Sequence, residues 1–376
     1  MNPDHRLPLH DWHASHGASF TNWMGWELPE SYDGASQEEY GELQSGCALI
    51  DMSHAVRLRL EGGSAARFLN EMLTLDVTTI RTNCSAYGFL CNERGGIEEG
   101  FLVYRDEKYY LLVGSSPRRR DVLELLDDQL EARSEWDLEL TNVTASQGEI
   151  LLRGPGAKAL LEGLFLDQAL PPDPGKGTVV AQGTSRVLVL KAPYGLGGGY
   201  FLVAGIANLE ETWDRLYRAG KSASMRPVGL TARRVLRIET GMAAAASEWD
   251  GRATPFEVGE ESRVDFYKPK FLGKRALLHS STDEFSRRLV LMRFEPGFQP
   301  KPGMEVNSVG TPVGKLTSTA HSPAWGAPVA LGFVHWVKSP PGTMLQAEDE
   351  AGRQSTAEIV SPKVLSATTK SSARRC

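Results

Sequence analysis

The sequence predicts an α+β protein that carries a separate all-β unit at its C-terminal end. Two observations lead there. As far as residue 282, strand-like apolar runs take turns with stretches of helical period. From about Asp283 onward the apolar runs are short, cut by Gly and Pro, and no stretch of helical length remains. At 376 residues the chain exceeds a single small core, so two or three domains are expected. Hydrophobic residues make up 41% and charged residues 23%, a globular composition able to bury a sizeable interior.

Residues 37–48 read as a helix, and GCALIDMSHAVRLRLEG as a turn into a strand whose apolar residues partly alternate. Ser64 is placed to cap a helix over AARFLNEML. FLVYRDEKYYLLVG reads as a hairpin of two buried strands, and PRRRDVLELLDDQLEA as the helix after it. ELTNVTASQGEILLRGPGAKALLEGL repeats strand, Gly-Pro turn and helix. SRVLVLKAPYGLGGGYFLVAGI is a second hairpin, ANLEETWDRLYRAG a helix ended by Gly220, and VGLTARRVLRIETGM is helical in period. These readings divide the chain into a body over 1–282, a small β-barrel over 283–366 and a polar, disordered tail over 367–376.

A net charge of -6 supplies no basic field for a phosphate backbone, so nucleic acid is not an expected partner. The cysteines Cys47, Cys84, Cys91 and Cys376 show no C-x-x-C spacing, which signals neither a zinc knuckle nor a disulfide framework. No apolar run approaches the ~20 residues of a membrane helix, and MNPDHRLPLHDWHASHG has no signal-peptide core. The expectation is a cytoplasmic monomer or homodimer acting on a small molecule, away from membranes.

Several motifs are weaker than they look. GLGGG at 195–199 lacks the last glycine of a nucleotide loop, since Tyr200 stands there, and it joins two strands without opening a helix. His10, His13 and His16 are spaced to share a helix face, but Pro8 precedes them and no carboxylate or thiol accompanies them at fixed spacing; a surface N-terminus explains them equally well, and no metal is expected. G-x-S-x-G and H-E-x-x-H are absent. PRRRD at 117–121 is either a solvated face or a partner for an anionic ligand tail. In CNERGGIEEGFLVYR a Gly-Gly turn is followed by Glu98 and Glu99 at the mouth of a buried strand, which makes them either a solvated rim or a working site.

Taken together, MGWELPESY (24–32), IDMSH (50–54), NERGGI (92–97), LRGPGAKALL (152–161), GLTARRVLRIETGM (229–242), TPFEVG (254–259), KFLGKRAL (270–277) and SPAWGAPVALGFV (322–334) resemble the glycine-cleavage T-protein (aminomethyltransferase) superfamily, in its order and across nearly the whole chain. The resemblance implies a cloverleaf of two α/β subdomains around a central cavity that holds tetrahydrofolate, with a C-terminal β-barrel, and chemistry that moves a one-carbon unit onto or off the folate. It places Tyr194 where an aromatic stacks on the cofactor, Arg233 and Arg288 on arginines near the folate, and Tyr87 on a pocket-lining position that is usually apolar. A pterin between aromatic faces and a folate carboxylate met by guanidinium are sound pairings. Arg233 serves equally well as a structural ion pair on its helix.

Where the resemblance calls for an aspartate beside the reacting folate nitrogen, this chain has Gly100. Plain alternation puts Glu98 on the same face but about 6.6 Å back, and Glu99 on the opposite face unless a bulge shifts the register. Phe201 stands where a glutamate accepts hydrogen bonds from the pterin, and unpaired buried donors would cost about 1–3 kcal/mol each. Ser262 replaces a common aromatic, and MAAAASEW (242–249) a stretch that helps form the site. The expected activity is therefore a divergent one: a folate-dependent methyltransferase or demethylase in which Glu98 or Glu99 supplies the remaining charge or proton relay. A folate-independent enzyme on the same scaffold is the alternative, ahead of a non-catalytic folate-binding protein.

Overall fold

The computed structural model describes residues 4–114, 119–165, 168–192, 199–221, 225–282 and 287–362. The chain opens with strand β1 (His5–Arg6), helix α1 (His10–Ser15), the hairpin β2 (Ala18–Trp23) and β3 (Trp26–Tyr32), and helix α2 (Ser36–Ser45). The stretch read as one strand divides into β4 (Ala48–Asp51) and β5 (Arg57–Glu61). They belong to different sheets because the backbone turns at Met52–Ala55, where the Ala55 amide donates to the Met52 carbonyl.

Helix α3 (Ala65–Met72) starts after Ser64, whose side chain makes no capping bond; its backbone amide donates to the Asp137 carbonyl instead. Next come β6 (Cys84–Cys91), β7 (Ile97–Arg105), β8 (Tyr109–Val113), α4 (Arg119–Glu131), β9 (Glu139–Asn142), β10 (Gln147–Arg153) and α5 (Ala157–Leu164). The body ends with β11 (Gly177–Gln182), β12 (Ser185–Lys191), β13 (Tyr200–Gly205), α6 (Ile206–Gly220), β14 (Arg226–Pro227), α7 (Leu230–Glu239) and α8 (Lys274–Thr282).

Two sheets face one another. One has the order β11-β12-β13-β10-β4-β14, the other β6-β7-β8-β5-β9. The outer face of the first buries Ile150 and Leu152 under Leu161 of α5 and Trp213 of α6. The outer face of the second buries Leu58 and Phe101 under Phe68 of α3 and Leu126 of α4. Their inner faces meet in a third cluster that includes Leu102, Leu151, Leu190 and Val203. Burial on both faces explains why strands such as FLVY and EILL read as continuous apolar runs. The Gly-Pro turn after β10 needs its glycine: Gly154 has φ +112°, and a Cβ there would lie 2.1 Å from the Gly46 carbonyl oxygen.

Strands β15 (Arg287–Phe294), β16 (Glu305–Ser308), β17 (Thr311–Ser322), β18 (Ala327–His335), β19 (Met344–Glu348) and β20 (Gln354–Val360) close into a barrel. It is bound to the body by buried polar contacts. Glu248, within MAAAASEW, pairs with Arg237 at 2.7 Å and accepts from Thr317 and Ser318 of β17, each at 2.7 Å. Glu239 accepts from Tyr40 of α2 at 2.6 Å and from Ser322 of β17. No helix among the described residues is long and apolar enough to cross a membrane. The polar tail, from residue 363 on, lies outside the described residues.

Candidate active site at the seam between the two sheets

The pairings Tyr87↔Leu102 and Phe89↔Gly100 put Tyr87, Gly100 and Leu102 on the inner face of the five-stranded sheet. From the other sheet, Phe201 pairs with both Leu151 and Leu190, and all three turn inward. Tyr87 and Phe201 thus join one apolar cluster with Met52 and Val235. Tyr87 also packs on the cluster of Phe89, Trp249, Phe256 and Phe271 that lies toward the barrel, so it stands where both sheets and the 243–271 strap converge. Its ring lies edge-on to Phe89, with centroids 5.5 Å apart, and the Arg263 guanidinium is 5.0 Å from its centroid. A Cβ on Gly100 would lie 1.8 Å from the Tyr87 hydroxyl oxygen. The phenol and any side chain at position 100 exclude each other.

The two acids are held elsewhere. Leu90 pairs with Glu99 and Cys91 with Ile97, which leaves Glu98 as a bulged residue and departs from the plain alternation expected. The Glu98 carboxylate accepts from Asn92 at 2.7 Å, and the same Asn92 amide donates to the Gly251 carbonyl at 2.8 Å. Glu98 therefore ties the NERGG turn to the loop at 251. Glu99 is fully buried and accepts the Gly100 backbone amide at 2.9 Å. Neither acid forms a solvated rim. Tyr194 lies outside the described residues. Arg288, on β15, donates to the Phe256 carbonyl at 3.3 Å and lies 3.9 Å from Glu261. Arg233, on α7, has a buried Nε with no hydrogen-bond partner among the described residues. Burial pushes its guanidinium down to about 10, against the opposing pull of Glu149 and Asp51.

Sequence reasoning missed a buried charge network below this seam. His13 is not a surface residue. It is fully buried on α1, and its Nδ1 lies 2.8 Å from the Tyr32 hydroxyl while its Nε2 lies 3.1 Å from the Asp51 carboxylate. Asp51 also accepts the Ser53 amide at 2.8 Å; His13 and Ser53 hold its carboxyl below the usual range although burial opposes them. Arg57 of the facing sheet pairs with Glu149 at 3.5 Å and donates to the carbonyls of Ser53, Thr144 and Gln147. A lone acid inside an apolar strand, Glu149 in EILL, is the signal that could have found it. Among the described residues, no group of three or more His, Cys, Asp or Glu side chains is set to hold a metal.

Burial pushes the Glu149 carboxyl up to about 7, and Arg57 only partly opposes this. Between about pH 4.5 and 7 the folded state therefore holds a proton that the unfolded state has released, so stability falls as pH rises through that window. The loss expected by pH 7.5 is on the order of 3 kcal/mol. Urea unfolding at pH 5 and pH 7.5 measures it, and Glu149→Gln should remove most of this slope; an unchanged slope in the variant would refute the assignment.

Two cavities flank the network. One of 660 Å³ opens at the far end of the seam, between the β7–β8 turn at Asp106 and Arg186 of β12, with Leu111, Val203 and Gln147 as its inner wall. The other, of 560 Å³, is a surface groove beside Trp12, His16 and Tyr217.

Comparison with known proteins decides the family. Residues 9–268 match the GCVT N-terminal domain, and residues 287–365 match the glycine cleavage T-protein C-terminal barrel domain. The chain belongs to the glycine cleavage T-protein family. It is 29% identical to the aminomethyltransferase of Saccharopolyspora erythraea, over 93% of this chain and 95% of that protein, and 29% identical to that of Halothermothrix orenii, over 90% and 93%. Among solved structures, the glycine cleavage system aminomethyltransferase T of Bartonella henselae has the same fold, with a TM-score of 0.86 at 24% identity, over 95% of this chain and 97% of that one.

Enzymes of this T-protein family are one-carbon transferases that typically take tetrahydrofolate as co-substrate, and this chain is a one-carbon transferase of that family. The seam suits such a ligand in part. Tyr87 and Phe201 share one packed apolar cluster, and the orphaned Nε–H of Arg233, under the influence of Glu149 and Asp51, calls for an acceptor that the described residues do not supply. Phe201 and Gly100 contribute no acceptor of their own.

Proposed function

We propose that this T-protein family member transfers a methyl group between a small N-, O- or S-methyl donor and tetrahydrofolate, and is not a housekeeping glycine-cleavage enzyme. One observation carries this reading: the Tyr87 hydroxyl fills the space above Gly100, so the seam presents a neutral phenol there, while Glu98 and Glu99 are engaged with Asn92 and the Gly100 amide. A neutral site lacks the fixed negative charge that would stabilise a cationic iminium-like carbon, whereas methyl transfer from a neutral donor, coupled to proton transfer, needs none. Tetrahydrofolate, when bound, supplies the amine that exchanges the carbon. In this reading Tyr87 and Phe201 border the ring plane, the Arg233 Nε–H donates to a ring acceptor, and Arg288, at the strap, meets the carboxylate tail. Apolar packing of the seam excludes water. A cytoplasmic location and a small-molecule partner remain part of the proposal.

Titration with tetrahydrofolate and 5-methyltetrahydrofolate, followed by tryptophan fluorescence, tests it. Micromolar binding of both is expected, together with 5-methyltetrahydrofolate formation from a panel of methylated amines, ethers and thioethers. No binding at millimolar ligand would overturn it. Phe201, 9% exposed among aliphatic neighbours, favours the second reading, an enzyme that has dropped folate and uses the 660 Å³ cavity for another small molecule.

A further inference from the structure

We propose that Tyr87 is the proton-handling residue of this site and that Gly100 is present to admit its hydroxyl. The proposal rests on the methyl-transfer reading above. Tyr87 and Gly100 lie on one inner face, and a single methyl group at position 100 would meet the phenol oxygen at 1.8 Å. The hydroxyl is thereby delivered to a point on β7 where the backbone offers no side chain. Among the described hydrophobic residues, only Tyr87 packs on both the inter-sheet cluster and the cluster toward the barrel, so a ligand entering where these parts meet encounters this oxygen.

The surroundings suit a phenol that gives up and recovers a proton. Arg263 stands 5.0 Å from the ring centroid, held there by Glu260, and favours negative charge developing on the ring. On the side toward the barrel, Lys268 lies over Phe271, Arg287 over Phe333 and paired with Glu257, and Arg288 of β15 lies 3.9 Å from Glu261; the hairpin of Tyr87 itself carries Glu98 and Glu99, and the inter-sheet cluster includes the phenols of Tyr40, Tyr104 and Tyr109. In the transfer, the bond from the methyl carbon to the donor heteroatom breaks and a bond to the accepting amine forms. The Tyr87 hydroxyl passes its proton to the departing heteroatom and is reprotonated by the proton the amine loses. Nothing is oxidised or reduced, and one proton moves through one oxygen.

Tyr87→Phe removes that oxygen and keeps the ring. It should lower kcat about 100-fold or more, leave tetrahydrofolate affinity within about threefold by fluorescence, and abolish the basic limb of the pH–rate profile. Incorporation of a fluorinated, more acidic tyrosine at position 87 should move that limb to lower pH by the acidity difference, a change that a packing role would not produce. Turnover within threefold of wild type with an unchanged profile, in either protein, would overturn the proposal while leaving folate binding intact. Failure of the wild type to bind folate would instead overturn the methyl-transfer reading, and this proposal with it.

Discussion

His13→Ala is expected to lower the stability of the fold by about 3–5 kcal/mol, the largest effect of any single change considered for this chain. The imidazole is fully buried and bridges the Tyr32 hydroxyl and the Asp51 carboxylate, whose side chain is only 1% exposed. Removing it strands a carboxylate in the interior with only its Ser53 contacts and opens a void against Trp213, whose ring stands edge-on to His13 at 5.2 Å. Helix α1 is only six residues long, and besides His13 it is held by Trp12, whose indole donates to Asp214 of α6 at 2.8 Å, and by His10, which stacks on Phe20 at 4.4 Å. Urea unfolding monitored by far-ultraviolet circular dichroism measures the loss. A loss below about 1 kcal/mol would mean that the pair contributes as little as an exposed ion pair.

The second large effect is at Gly100. Its φ is not in the left-handed region, so backbone strain plays no part and space alone decides. Gly100→Ala should destabilise by about 1–3 kcal/mol as the added carbon displaces the Tyr87 ring from its contacts with Phe89 and Arg263. In a Tyr87→Leu background the same alanine should cost nothing measurable, so the double-mutant cycle yields a coupling energy close to the whole single-mutant cost. Additive costs would show that the two residues do not compete for one space.

Much of the scaffold was legible because its signals are local. The alternation of strand and helix, the two hairpins and the Gly- and Pro-cut barrel strands follow from hydrophobic period and turn chemistry. What failed were features that depend on the partner of a residue. Nothing near His13 in sequence marks it as buried; its partners Tyr32 and Asp51 come from β3 and β4. For the acids at 98 and 99 the sequence leaves plain alternation and a bulge both open, and what decides for the bulge at Glu98, the Asn92 bond and the loop at 251, lies beyond any local pattern. Ser64 had the right residue type for a cap, yet the Asp137 carbonyl takes its backbone amide. The meaning of Gly100 was half visible: the missing carboxylate showed in the sequence, whereas the phenol that takes its place required the register of β6 against β7.

The most direct test of the central claim is a crystal structure of the protein with 5-methyltetrahydrofolate bound. The pterin ring is expected at the seam, in contact with Tyr87 and Phe201, with a ring acceptor within hydrogen-bonding distance of the Arg233 Nε. A ligand seated in the cavity beside Arg186, or on the surface groove at Trp12, with the seam packed as it is in the free protein, would contradict it.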